Sequence, residues 1–291
     1  MASLKEIKNR IGSVRSTLKI TSAMKLVASA KLRKAQQAVA AALPYPQTLS
    51  EVLSTLLADY SAKRQEGRNA GAAPWETFSR ERESGRVAIV AVSSNSSLCG
   101  GFNANAIRGA LAALSDAPDA TVFSIGRKMA DAMKKAGHPS PEDFSHLAEH
   151  PSYDGAAKLA EDLIEGFLDG HYSRVELIYN HFASTASQPT MQETLLPFSV
   201  PVGEKENAID CIVEPSSGEL IEDLLPKVLK FKLYSVLLDS AAAEHAARTV
   251  AMQMATDNAE DLLRDLTLEY NKSRQQKITA EILDIVGGSM L

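Results

Sequence analysis

The chain has 291 residues with 31 basic and 36 acidic side chains, a net charge of −5, and 45% hydrophobic against 23% charged residues. That balance is ordinary for a globular protein, and the length suffices for one large domain or two smaller ones around a sizeable core. Mean hydropathy is −0.12 and no run of about 18 apolar residues occurs, which excludes a transmembrane helix. Cys99 and Cys211 stand far apart without histidine neighbours, so neither a disulfide framework nor a zinc motif is expected, and a reducing compartment is.

The opening MASLKEIKNR passes straight into charged, periodic sequence and carries no signal or transit pattern. Through residues 1–43 the charge is lopsided: nine basic residues (Lys5, Lys8, Arg10, Arg15, Lys19, Lys25, Lys31, Arg33 and Lys34) meet the single acid Glu6. Such a segment suits nucleic acid, an anionic surface or acidic partner groups, and charge alone does not choose. Leu4, Ile7, Ile11, Val14, Leu18 and Thr21 alternate steps of three and four, the seam of a coiled coil. Near Met24 the register slips, continuing through Val27 or Ala28, Leu32, Ala35 and Val39. Pro44 and Pro46 should kink or break this helix before Leu49–Leu57 resumes it. Ala62 to Gly85 reads as a loop.

The middle alternates strand and helix. Arg86–Val92 is a β-branched run suited to a buried parallel strand. A Ser/Gly-rich turn follows, then a helix over 103–114, a strand over Thr121–Ile125 and a helix over 127–135. A helix over 155–169 and a strand over Arg174–His181 come next, with further strands at Thr190–Pro197 and Cys211–Val213. The alternation predicts a mainly parallel sheet covered on both faces.

From Leu224 to Tyr270 the four-three spacing returns through Val228, Phe231, Ser235, Leu238, Ala242, His245, Thr249, Met252, Thr256, Ala259, Leu263 and Leu266. Ile278, Ile282 and Ile285 prolong the stripe to the stop signal Gly287-Gly288, and Pro226 marks a kink or the start of the helix. At about 1.5 Å per residue a helix from Pro226 to Val286 outgrows any compact domain of this size. The two ends therefore pair into one antiparallel rod. The predicted fold is α/β, a long antiparallel coiled coil plus a central Rossmann-like domain. Its divisions are 1–60 (N-terminal helix), 61–85 (loop), 86–215 (central α/β domain) and 216–291 (C-terminal helix).

Candidate chemistry in the middle is thin. Ser96-Ser-Leu-Cys-Gly-Gly-Phe102 lies between strand and helix, where a phosphate can bind, yet matches neither the dinucleotide nor the P-loop pattern. Cys99 has no partnered histidine for nucleophilic work. His138, His146 and His150 share a Pro- and acid-rich loop without metal spacing, and Glu161/Asp162 and Glu260/Asp261 read as helix-surface acids. No catalytic, cofactor-binding or metal-binding residue is expected. Two other readings stay open on the residues: a coiled-coil scaffold or nucleic-acid-binding protein using the basic helix, and a Rossmann-like nucleotide enzyme with helical arms.

Several blocks resemble the gamma subunit of F-type ATP synthases. They are Ile7-Lys-Asn-Arg-Ile11, Lys19-Ile-Thr-Ser-Ala-Met-Lys-Leu-Val-Ala28 and Leu98-Cys-Gly-Gly-Phe-Asn103. The C-terminal part adds Glu244-His-Ala-Ala-Arg248, Ala255-Thr-Asp-Asn-Ala259, Tyr270-Asn-Lys-Ser-Arg-Gln275 and Ile278-Thr-Ala-Glu-Ile282. The match runs the whole chain in order. It implies a non-catalytic shaft, its coiled coil inserted in an alpha/beta hexamer, its central domain on the epsilon subunit and the membrane c-ring. Ion-driven rotation of that shaft then drives ATP synthesis in the beta subunits. No cofactor and no nucleic acid are implied. By position, Arg274, Gln275 and Thr279 resemble the contact with beta-subunit loops, Met24 and Arg248 resemble coupling-sensitive positions, and Glu214 resembles the c-ring-facing segment.

Three departures stand out: Cys211 and Val213 replace aromatic residues near Glu214, Ser94-Asn-Ser-Ser97 replaces a charged residue and a glycine, and the chain ends Gly-Ser-Met-Leu291 instead of an alanine run. No inserted cysteine pair of the plant plastid kind is present. Together with the missing transit pattern, this implies a bacterial protein. The location implied is the cytoplasmic side of the inner membrane, reached only through the complex.

Overall fold

The computed structural model describes residues 3–65, 74–82, 84–199 and 213–288. The chain divides into two compact units: Met1–Ala30 with Arg248–Leu291, and Lys31–Ala247. Two helices run through both, α1 (Leu4–Ala42) and α7 (Ser217–Gly288), the latter 72 residues long.

Both long helices open with the same device. Ser3 Oγ accepts from the Glu6 amide (3.3 Å) while the Ser3 amide donates to Glu6 Oε2 (2.8 Å). At the other helix Ser216 Oγ accepts from the Glu219 amide and donates to Glu219 Oε1. In each Ser-x-x-Glu cap the serine hydroxyl satisfies an amide left open by the first turn, and at Ser3 the glutamate returns the bond to the serine amide. The C-terminal helix thus begins at Ser217, and Pro226 sits inside it, not at its start.

The larger unit is built on a four-stranded sheet of order β2-β1-β3-β4: β1 (Arg86–Val92), β2 (Thr121–Ile125), β3 (Tyr172–Asn180) and β4 (Thr190–Leu196). β1 pairs in parallel with β2 and β3, while β4 runs antiparallel to β3. The sheet is therefore mixed, with a parallel core as the alternation predicts. Helices α3 (Phe102–Asp116) and α4 (Arg127–Lys135) cover one face, where Ile89, Ala91, Val122 and Ile178 meet Ala106, Ala110, Met129 and Met133. Ala88, Val90, Val175 and Leu177 point the other way, toward Leu159, Leu163 and Phe167 of α6 (Tyr153–Leu168). Between α4 and α6 lies the short α5 (Ser145–Glu149).

That second face also receives α2 (Pro44–Gln65) through Leu53, Leu56, Leu57 and Tyr60, and α7 through Ile221, Leu225, Leu229 and Leu233. The step-four series on α7 is a face the heptad reading did not single out. Positions such as Leu224, Val228 and Phe231, which that reading selected, are only half-buried here. The stretch 61–85, read as a loop, carries the end of α2 and a 3-10 turn (Pro74–Phe78) whose Trp75 ring meets Tyr60 edge-on at 5.4 Å. Cys211, in the strand expected at Cys211–Val213, lies outside the described residues, and Val213 itself is not in a strand.

Candidate interaction surface

In the smaller unit α1 and α7 run antiparallel. Thr21 Oγ1 lies 3.1 Å from Thr256 Oγ1, and one turn on, Lys25 Nζ donates to Gln253 Oε1 at 2.7 Å. Numbers rising on one helix thus meet numbers falling on the other. Ile7, Thr21, Ala28, Met252, Thr256, Ala259 and Leu266 are buried, and Leu4, Ile11, Val14, Leu18, Leu263 and Tyr270 half-buried, as a four-three seam requires. The slip expected near Met24 does not occur. The seam passes through Lys25, a half-buried seam residue, and continues in step to Ala28. A lysine at a seam position hid the continuity.

The register sets Leu4, the first residue of α1, level with Ser273. Beyond that level every described side chain of α7 from Arg274 to Val286 is exposed. Arg274, Gln275 and Thr279 therefore face solvent, the Thr279 hydroxyl closing locally on the Gln275 carbonyl at 2.9 Å. The isoleucines read as an extension of the apolar stripe lie bare: Ile278 is 46%, Ile282 55% and Ile285 72% exposed. Bare apolar side chains at this spacing mark a surface that is covered in use. Met24 and Arg248 are half-buried in the same unit. Lys5, Lys8, Arg10, Arg15 and Lys19 are all exposed on α1, and none forms an ion pair among the described residues. Glu214 belongs to the larger unit, exposed just ahead of α7.

In that larger unit the carboxyl ends of β1 and β3 are where an open parallel sheet reverses its winding and normally receives a ligand. Here the chain's own groups bond to one another around that place. After β1, Asn103 Oδ1 accepts from the Ser94 amide and hydroxyl, both at 3.0 Å, while its Nδ2 donates to the Ser96 carbonyl at 3.2 Å. Cys99 is buried beneath this turn against Phe102 and Ala243 of α7. After β3, Asp239 of α7 accepts from the Phe182 amide (3.0 Å) and lies 2.6 Å from His181 Nδ1. Asn180, fully buried, donates to the Phe102 carbonyl and accepts from Thr190 Oγ1 at 2.7 Å. The Ser/Gly turn is thus a mount for the long helix.

A second tie lies on β4, where Glu193 accepts from Tyr179 Oη at 2.9 Å and pairs with Lys232 of α7. Burial, and then the adjoining carboxylate, push the Tyr179 phenol far above its ordinary range, so it stays a donor. For Glu193, burial acts to raise the pKa, but hydrogen bonds from Lys232 and Tyr179 outweigh it and hold the carboxyl below its ordinary value. Asp239 and Glu193 were not singled out from the sequence, since only the folded chain brings Asp239 to the loop after β3 and Glu193 to Lys232, and Asn103 entered only as the end of a resembling block. Among the described residues no helix is long and apolar enough to cross a membrane, and no group of His, Cys, Asp and Glu is arranged to hold a metal.

Two long helices paired at a four-three seam, both continuing into a unit built on a mixed α/β sheet, define the fold class. A family profile described as ATP synthase matches residues 3–290. The ATP synthase gamma chain of Phocaeicola vulgatus is 52% identical over the full length of both chains. That of Bacteroides thetaiotaomicron is 48% identical, again over all of both. In Flavobacterium johnsoniae the gamma chain is 44% identical over 99% of this chain and 98% of its own. Among solved structures, a chain of the Tetrahymena thermophila mitochondrial ATP synthase central stalk and c-ring shares the fold. Its TM-score is 0.56 at 22% identity, covering 81% of this chain and 99% of that one. A chain from the Euglena gracilis mitochondrial enzyme gives a TM-score of 0.51 at 19% identity, covering 90% and 94%. The chain belongs to the ATP synthase gamma chain family.

Proposed function

We propose that this chain is the central-stalk rotor subunit of a bacterial ATP synthase. It transmits rotation of an ion-driven c-ring to the beta subunits, where ATP is made or hydrolysed, and contributes no catalytic residue of its own. The observation that carries the reading is the bare end of α7, where Ile278, Ile282 and Ile285 form an apolar stripe with Arg274, Gln275 and Thr279 among them. A shaft that ends inside a ring of alpha and beta subunits needs such a surface, apolar enough to be seated and punctuated by groups that can hydrogen-bond.

The partners follow from position. Arg274, Gln275, Thr279, Met24 and Arg248 meet the beta subunits. The exposed cations of α1 face acidic groups on them, so the contact weakens as salt rises. Glu214 faces the c-ring, and the α/β unit receives the epsilon subunit. The protein then sits on the cytoplasmic side of the inner membrane through its complex alone.

The test is steady-state ATP hydrolysis by the cognate alpha and beta subunits with and without this chain, beside an Arg274→Ala/Gln275→Ala double variant. One stoichiometric complex with sustained turnover, weakened in the variant, is the expected result. No co-assembly and no change in turnover would sink the proposal, and nucleic-acid binding by the basic helix would then be the next question.

A further inference from the structure

We propose that the Thr21–Thr256 and Lys25–Gln253–Asp257 contacts act together as a register lock, fixing which residues of α1 face which residues of α7. The inference goes beyond the rotor reading and does not depend on it. Thr21 and Thr256 are buried in the seam, where an aliphatic residue would pack better. The Thr21 hydroxyl donates to the Leu18 carbonyl at 3.1 Å, and the Thr256 proton is shared between Thr21 Oγ1 and the Met252 carbonyl at 2.8 Å. At the next layer Lys25 reaches Gln253 Oε1, and Gln253 Nε2 donates onward to Asp257 Oδ1 at 2.6 Å. A lysine, an amide and a carboxylate thus form one chain across the helix pair. A polar residue at a seam position is the known means of fixing coiled-coil register, at a cost in stability.

The two layers are needed because each guards against a different error. A heptad-repeat pair is nearly self-similar under a slip of one heptad. Sliding α7 one heptad in one direction sets Thr21 against Thr249, another seam threonine, but leaves Lys25 beside Ala246. Sliding it the other way brings Lys25 to Glu260, a good partner, but sets Thr21 against Leu263 and Thr256 against Ala28. Each wrong register satisfies one layer and spoils the other. Only the observed one satisfies both.

The test is disulfide trapping in the full chain. Ile7→Cys is combined with Tyr270→Cys to report the observed register, with Lys277→Cys to report one slip, and with Leu263→Cys to report the other. Linked peptides are identified by mass. The unsubstituted seam should give the 7–270 link alone. Thr21→Val/Thr256→Val should raise the 7–277 link about tenfold, and Lys25→Met should raise the 7–263 link by a similar factor, the population change that one net hydrogen bond controls. Thr21→Ser/Thr256→Ser keeps both hydroxyls and should keep the 7–270 link alone.

A 7–270 link that persists alone in all variants overturns the proposal. So does a swap of which variant yields which link. Helix content and melting temperature should hold or rise in the valine and methionine variants. A fall in either also overturns it, since the polar layers would then be supporting the fold instead of choosing its register.

Discussion

Asp239 does more for the larger unit than its place on a charged helix suggests. Its carboxylate meets the Phe182 amide at 3.0 Å and His181 Nδ1 at 2.6 Å, fastening α7 to the loop that leaves β3. Removing it strands a half-buried amide, so Asp239→Ala should lower unfolding free energy by roughly 1–3 kcal/mol in a urea titration. Asp239→Asn retains an acceptor and should cost less. No local pattern could have flagged this residue, because its partners lie more than fifty positions earlier in the chain. Glu193 gives a pH signature. Its carboxyl is held below the ordinary value of 4.5, so the folded state favours the ionised form. The stability this brings is complete above that value and is lost as pH falls through the lower folded value. Denaturation midpoints should therefore drop on acidification below about pH 4.5, and Glu193→Gln should make that drop shallower.

At the scale of elements, the heptad spacing was readable on both ends because a thin seam leaves the other positions polar. Lys25 broke the apparent register only because a lysine was read by its charge and not by its position. In α7 from Ser217 to Ala247 two faces are covered at once, and a search for one seam passes over the second. The antiparallel direction of β4 was equally hidden, since Thr190–Leu196 reads as a strand whichever way it runs. The two-faced burial makes α7 uneven in its tolerance of substitution. Leu229, 2% exposed in the core, should cost about 2–5 kcal/mol as Leu229→Ala. Leu268, on the same helix but 63% exposed, should cost within about 0.5 kcal/mol as Leu268→Ala. Thermal unfolding of the two variants side by side reads the contrast. Equal losses would mean that α7 is covered alike along its length.

For the molecule as a whole, the pairing of the two chain ends was legible in their four-three spacing, and the structure adds its register. What the sequence did not carry is that the last turns of α7 outrun their partner helix, because that depends on the register and on where α1 begins. A helix end whose described side chains are exposed adds little to the folded state of the isolated chain, and its apolar face should instead be worth energy on assembly. Ending the chain after Tyr270 separates the two contributions. The shortened chain should unfold within about 0.5 kcal/mol of the full one and be less prone to self-associate. Reconstituted with the partners proposed for it, the same truncation should depress ion-driven ATP synthesis more than ATP hydrolysis, because on the rotor proposal synthesis needs the shaft to push the beta sites against load. A truncation that unfolds the chain would show that these turns serve the fold. Full coupling in its presence would overturn the proposed contact at Arg274, Gln275 and Thr279 and favour the basic face of α1, and raising the salt concentration would then be expected to uncouple the complex.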